Sequence, residues 1–313
     1  MKKILLIITS FVVMTISTNA SAWWWSKPST YTQTKHPIVL VHGLYGFDDI
    51  LGMEYFYKVP AELRKDGAEV YTVTVAQANS TEVRGEQLLA QMEDILAISG
   101  AQKLNLIGHS HGGPTIRYAA SVRPDMVASV TSIAGVNKGT PVADKLMAAS
   151  DGSEIFSGLI EFAGNLLGEA IDLFSSGDYE QDVMAVMSAL STEETLKFNQ
   201  RHPQGVPTSA CGEGDYSVNG IHYYSWSGTQ PVTNIFDPIE ALFAVTSQFF
   251  DKGVANDGLV GRCSSHLGMV IRDDFKMNHL DEVNLMLGIH HLWSTDPLTV
   301  FRTHANRLKN QGL

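Results

Sequence analysis

The chain is short of cysteine, of positive charge and of long uncharged apolar stretches. Its 313 residues include two cysteines, and 22 lysines and arginines face 33 aspartates and glutamates, for a formal charge of −11. The acid excess argues against a nucleic-acid partner, because phosphate backbones are gripped by clustered lysine and arginine. Beyond the N-terminal leader, no stretch reaches the roughly 20 apolar residues that a membrane helix requires. No linker-like segment or internal repeat divides the chain either, so residues 23–313 are expected to form one domain around a substantial core.

The N-terminus reads as an export signal. Lys2 and Lys3 precede an uncharged run from Ile4 to Ile16, and Ala20-Ser21-Ala22 offers a small-residue cleavage site, so residues 1–22 are expected to be removed. Cleavage takes away two lysines and no acids, leaving a formal charge of −13. In an oxidising compartment the two cysteines, Cys211 and Cys263, are expected to pair. Such a loop closure is worth about 4 kcal/mol in the chain-entropy account.

Residues 37–41 (PIVLV), 70–75 (VYTVTV), 104–107 (LNLI) and 127–133 (VASVTSI) are short and rich in β-branched side chains, and segments of helical pattern separate them. That rhythm predicts an α/β fold with a mostly parallel central sheet flanked by helices. Residues 82–98 form one such helix, with Val83, Leu88, Met92, Ile95 and Leu96 near one face. Another starts near Ser191, which has capping-box spacing to Glu194. From Pro203 to Gly228 glycine, serine and tyrosine become frequent, and the second half is expected to supply loops around the site.

Gly108-His109-Ser110-His111-Gly112 carries the most information. It follows the 104–107 strand and precedes a helical segment at 114–122, which is the strand-to-helix context that gives G-x-S-x-G its meaning. A bare match arises by chance on the order of 0.1 times in a chain of this length. Ser110 is therefore the candidate nucleophile. A serine hydroxyl also needs a base and donors for the developing oxyanion. The donors assigned are the backbone N–H groups of His111, at the start of the helix, and of Leu44, in the His42-Gly43-Leu44 turn after the first strand.

In this arrangement the acid and then the base follow the serine along the chain. His279 is the favoured base because Met277-Asn278-His279-Leu280 reads as a loop after the charged turn Arg272-Asp273-Asp274. Asp257, in Asn256-Asp257-Gly258, is the favoured acid, and Asp237 with His266 is the rival pair. His304 falls in a terminal helix, and His290-His291 read as surface or packing residues.

Several stretches together resemble the foldase-dependent, Pseudomonas-type bacterial triacylglycerol lipases of the α/β-hydrolase superfamily. They are YTQTK at 31–35, residues 37–48, EVRGEQL at 82–88, LIGHSHGGPTIRY at 106–118, PQGVPTSACGEG at 203–214, ANDGLVGRCSSHLGMVIRD at 255–273, MNHLDEVN at 277–284 and HANRLKN at 304–310. The resemblance implies that Ser110, Asp257 and His279 are the triad, that Leu44 and His111 shape the oxyanion hole, and that Cys211 pairs with Cys263. It implies one structural Ca2+, held by the carboxylates of Asp237 and Asp281 and by backbone carbonyls at Leu285 and Ile289. Ile155, Leu159, Phe162, Leu166, Ile171 and Phe174 make an apolar stripe that by pattern alone fits a buried core helix or a lid, and the resemblance implies a helical lid over about 153–176. The expected partners are acylglycerols at a lipid interface, a lipase-specific foldase in the periplasm and a secretion machinery that delivers the protein outside the cell. The alternatives are a soluble short-chain carboxylesterase and a catalytically inactive binding module of the same fold. Trp23-Trp24-Trp25 lies outside the matched stretches.

Overall fold

A computed structural model describes residues 29–44, 46, 49–50, 53–149, 179–234, 240–285, 288, 290 and 293–313. The leader, Trp23 to Trp25 and the expected lid lie outside these residues. So do Asp237 and Ile289.

The central sheet contains β1 (Ile38–Val41), β4 (Val70–Val73), β5 (Leu104–His109), β6 (Val127–Ile133), β7 (Ser217–Val218), β8 (Ile221–Gly228) and β9 (Met269–Phe275). Its order is β4-β1-β5-β6-β8-β7, with β9 also paired to β8. All pairings are parallel except the short β7–β8 turn. A separate two-stranded ribbon joins β2 (Asp49–Ile50) to β3 (Met53–Glu54). Among the described residues, no helix is long and apolar enough to cross a membrane.

Both faces of the sheet are covered, and β1 shows the consequence: all four of its residues are fully buried. Val39 and Val41 join Leu104, Leu106 and Val130 on one face, beneath Leu88 and Met92 of α2 (Thr81–Ser99) and Ile116 of α3 (Gly112–Val122). Ile38 and Leu40 join Ile107, Ile133 and Trp226 on the other, against Leu63 of α1 (Val59–Lys65) and Phe301 of α7 (Pro297–Asn310). Continuous apolar strands rather than alternating ones are what two-sided burial demands. A third cluster gathers above the sheet edge, where α4 (Pro141–Ala149) and α5 (Val183–Leu190) pack with Phe250, Val260 and the half-buried Leu44.

The helix termini are written locally. Ser80 accepts the N–H of Val83 at the start of α2, and Gly100 ends it at φ 68°. Ser191 accepts from Glu194 at 3.3 Å and opens α6 (Thr192–Arg201) where the capping-box spacing placed it. Three sequence expectations need correction. Val83 is exposed at 41%, because the inward stripe of α2 runs through Thr81, Arg84, Gly85, Leu88 and Met92, and a buried arginine hides that register. The stretch ending at Gly228 holds β8, a central strand whose Tyr-Ser-Trp composition blurs the usual signal. Arg272-Asp273-Asp274 lies within β9 rather than in a turn.

Candidate active site

The loops at the carboxyl ends of β1, β5 and β8, with those around β9, converge on Ser110. The residue sits between β5 and α3 at φ 56°, a left-handed conformation that a side chain adopts only when its surroundings hold it there. Its N–H donates to Ile133 of β6 at 2.9 Å, and its carbonyl accepts from Gly113 at 3.0 Å. The flanking glycines are steric requirements: a Cβ at Gly108 would run into the carbonyl of Gly112, and one at Gly112 into that of Val41. Helix and strand pass too closely for any side chain there.

The turn after β1 lies directly against the serine, since a Cβ at Gly43 would come within 2.7 Å of Ser110 Cβ. Arg84 secures this turn from beneath. Fully buried, it donates from Nη2 to the carbonyl of His42 at 2.6 Å, from Nη1 to that of Ala76 and from Nε to Thr115 Oγ1 at 3.2 Å. No carboxylate is among these acceptors, and burial pulls the guanidinium down to about 9. Burial, with Arg84 nearby, pushes His42 down to about 3, so its imidazole stays neutral and its Nε2 accepts the N–H of Val75 at 3.2 Å. Leu44 follows Gly43 in this turn. His111 stands at the N-cap of α3, where helix geometry leaves the first N–H groups without partners inside the helix.

Asp257 and His279 meet. Oδ2 of the buried aspartate lies 2.8 Å from Nδ1 of His279, and since a carboxylate only accepts, Nδ1 is the donor. The other oxygen, Oδ1, accepts the N–H groups of Leu259 at 2.9 Å and Val260 at 2.7 Å, which fixes the carboxylate plane. The His279 N–H donates in turn to the Asp257 carbonyl at 3.0 Å, so the two loops are pinned by backbone as well as side chain. With its proton on Nδ1, the imidazole presents a lone pair at Nε2, which has no hydrogen-bond partner among the described residues. The ring of His109, the neighbour of Ser110, lies 4.5 Å from that of His279, centroid to centroid. That contact seats His279 beside the serine turn.

The rival histidines are occupied elsewhere. His266 bonds Asp273 at 3.0 Å and Gly212 at 2.9 Å, next to the disulfide that joins Cys211 to Cys263. His304 is buried in α7 against Thr131, 2.8 Å away.

Of the expected calcium ligands, Asp281 and Leu285 fall among the described residues. Asp281 is buried and accepts the N–H of Asn278 at 3.2 Å. Burial is the main reason its carboxyl is pushed up to about 6; Thr233 and Asn278 pull the other way, and the nearby Glu240 adds to the rise. Two acids this close, in so dry a place, suit a hard cation that would neutralise both. The carboxylate chemistry fits the ion. Leu285 donates its N–H to Leu280 at 3.2 Å in the same turn.

Sequence reasoning passed over three residues that complete the site. Tyr55 places its hydroxyl 2.6 Å from Nδ1 of His109. Glu282 accepts the N–H of Gly228 through Oε1, and burial, reinforced by Asp257, holds its carboxyl well above the usual range. Arg84 is the third. Glu282 and Arg84 both lie inside the family-like stretches, but neither has a local pattern that announces a role, because their partners are distant in sequence.

Comparison with known proteins follows the same lines. Residues 36–283 match the family model described as alpha/beta hydrolase fold. Over all of this chain and 99% of its own length, a triacylglycerol lipase of Vibrio cholerae serotype O1 is 55% identical. One from Pseudomonas fragi is 39% identical across 90% of the chain and 98% of its own. Among solved structures, a Staphylococcus hyicus lipase superposes with TM-score 0.59 at 17% identity, covering 92% of this chain and 99% of that one. A mature Bacillus licheniformis lipase gives TM-score 0.61 at 18% identity, over 88% and 93%. At those identities the structural likeness speaks for the fold.

Proposed function

Because the chain belongs to the α/β-hydrolase family and, within it, to the triacylglycerol lipases, we propose that it hydrolyses acylglycerol esters at lipid–water interfaces through Ser110, His279 and Asp257. The observation that carries this reading is the 2.8 Å bond between Asp257 and His279 beside a serine held at φ 56°.

In the reaction Ser110 Oγ attacks the ester carbonyl while Nε2 of His279 takes its proton. The carbonyl oxygen becomes an oxyanion and is met by the N–H groups of Leu44 and His111, with the α3 dipole favouring the charge. Collapse breaks the ester C–O bond, and His279 returns the proton to the departing alcohol. Water then repeats the cycle on the acyl-serine, releasing the fatty acid. Asp257 holds the required tautomer and stabilises the imidazolium without taking the proton itself.

Residues 23–313 act as one domain in this reading, with 1–22 removed on export and 153–176 closing over the site until a lipid surface favours opening. A bound calcium would be held by Asp237 and Asp281 with carbonyls at Leu285 and Ile289. It would supply charge neutralisation and a tether for the loop bearing His279. Folding in the periplasm with a foldase, then passage outward by a secretion machinery, completes the proposal.

Organophosphonate labelling coupled to substrate choice tests the function. Ser110 takes up the label in the wild-type chain and not in Ser110→Ala, and emulsified long-chain triacylglycerol is cleaved faster than a dissolved short-chain ester. The reverse preference makes the chain a carboxylesterase, and absence of labelling makes it a binding module.

A further inference from the structure

Three polar atoms beside the serine turn lack hydrogen-bond partners among the described residues: Nε2 of His109, Nε2 of His279 and Oε2 of Glu282. All three residues are buried, at most 2% exposed. The opposite atom of each is engaged, by Tyr55 at 2.6 Å, by Asp257 at 2.8 Å and by the N–H of Gly228. One ligand atom from each residue falls within 4.8 Å of the other two, and His109 Nε2 stands 3.9 Å from Glu282 Oε2. Buried polar groups are almost always paired, so side chains that gather a ligand atom each within 4.8 Å and leave these atoms without a hydrogen-bond partner have room for an occupant.

We propose that His109, His279 and Glu282 form a second cation site, which takes a borderline divalent transition metal of the Zn2+ type and holds the enzyme inactive. Two imidazoles and a carboxylate are a zinc-type donor set, whereas calcium seeks six to eight oxygens and has no use for imidazole. Zinc bonds of about 2.0–2.2 Å bring tetrahedral ligands closer to one another than they lie now, so the three side chains draw in on the ion. A fourth position stays open. The site is separate from the calcium set although Asp281 and Glu282 are consecutive: Asp281 faces Asn278 and Glu240, while Glu282 faces Gly228 and His109.

The consequence rests on the reading of His279 as base. A metal on Nε2 occupies the lone pair that would receive the Ser110 proton, so binding and catalysis exclude each other. Asp257 and Tyr55 already orient the two rings from behind, each bonding the nitrogen that faces away from the ion.

Calorimetric titration of Zn2+ into the calcium-saturated full chain tests the site. One equivalent is expected to bind to wild type and to Ser110→Ala alike, with affinity at least tenfold weaker in both His109→Gln and Glu282→Gln. The second substitution keeps an oxygen for the Gly228 N–H, so it guards against loss of fold, which circular dichroism checks in each variant. Hydrolysis by wild type is expected to fall with a midpoint equal to the measured dissociation constant and to return when zinc is chelated and calcium restored. The proposal is overturned by no binding up to millimolar zinc, by unchanged affinity in both variants, or by binding that leaves hydrolysis intact. Activity surviving in Ser110→Ala would instead sink the catalytic reading, and the calorimetry would still report on the metal site.

Discussion

Arg84 Nη2 donates to the carbonyl of His42 at 2.6 Å, and through that bond a helix on one face of the sheet fixes the turn that carries Leu44. A lysine cannot reproduce three directed bonds to His42, Ala76 and Thr115. Arg84→Lys is expected to lower kcat by about tenfold with little change in KM, and to cost about 2 kcal/mol of stability, the scale of hydrogen bonds to charged groups. Steady-state kinetics and urea unfolding measure the two effects. An unchanged kcat would detach Arg84 from the oxyanion turn.

Replacing Ser110 separates chemistry from strain. Ser110→Ala and Ser110→Gly are both expected to lose about a millionfold in kcat. Only glycine relieves the φ of 56°, so Ser110→Gly should melt above Ser110→Ala. Calorimetric Tm values decide; equal Tm values would mean that the turn holds no strain.

Asp257→Asn leaves a side chain of the same shape but can present an amide N–H where Nδ1 of His279 needs an acceptor. A fall of about ten-thousandfold in kcat with the fold retained is expected. Near-normal turnover would point to another acid.

Acid should weaken the fold. Burial keeps His42, His109, His111 and His304 neutral by lowering their pKa values, whereas in the unfolded chain each gains a proton near its ordinary value of 6.5. Folding therefore excludes protons in this range; the contribution is complete above about 6.5 and is lost as pH falls below it. Asp281 and Glu282, whose pKa values are raised, act in the opposite sense but are outnumbered. The urea midpoint should drop between pH 7.5 and pH 5, and His304→Gln, which lies away from the site, should flatten that slope. A slope unaffected by His304→Gln would contradict this account.

Chelation tests the proposed calcium ligand Asp281. Removing calcium is expected to lower Tm and activity together, and Asp281→Asn should abolish the calcium-dependent part of Tm. A Tm indifferent to chelator in the wild-type chain would remove calcium from the description.

Much of this was legible in the sequence because the signals are local. Four strands announced themselves by β-branched runs, and Gly108 to Gly112 marks its own turn because close packing admits no other residue type. Asp257 and His279 were harder. Chain order and loop context left Asp237 and His266 in contention, and what separates them in space is that His266 is held by Asp273 and Gly212. Arg84 and Glu282 were invisible for a different reason: their hydrogen-bond partners come from folded neighbours distant in the chain, 42 residues away for His42 and 54 for Gly228.

The parallel pairing of β6 with β8, and of β8 with β9, means that the residues around Ser110 are gathered from distant parts of the chain. A ribosome that has completed α3 has already made Ser110, yet Asp257 and His279 are still unwritten. On the proposed triad, a product that stops short of Asp257 and His279 has neither acid nor base, so hydrolysis requires the last third of the polypeptide.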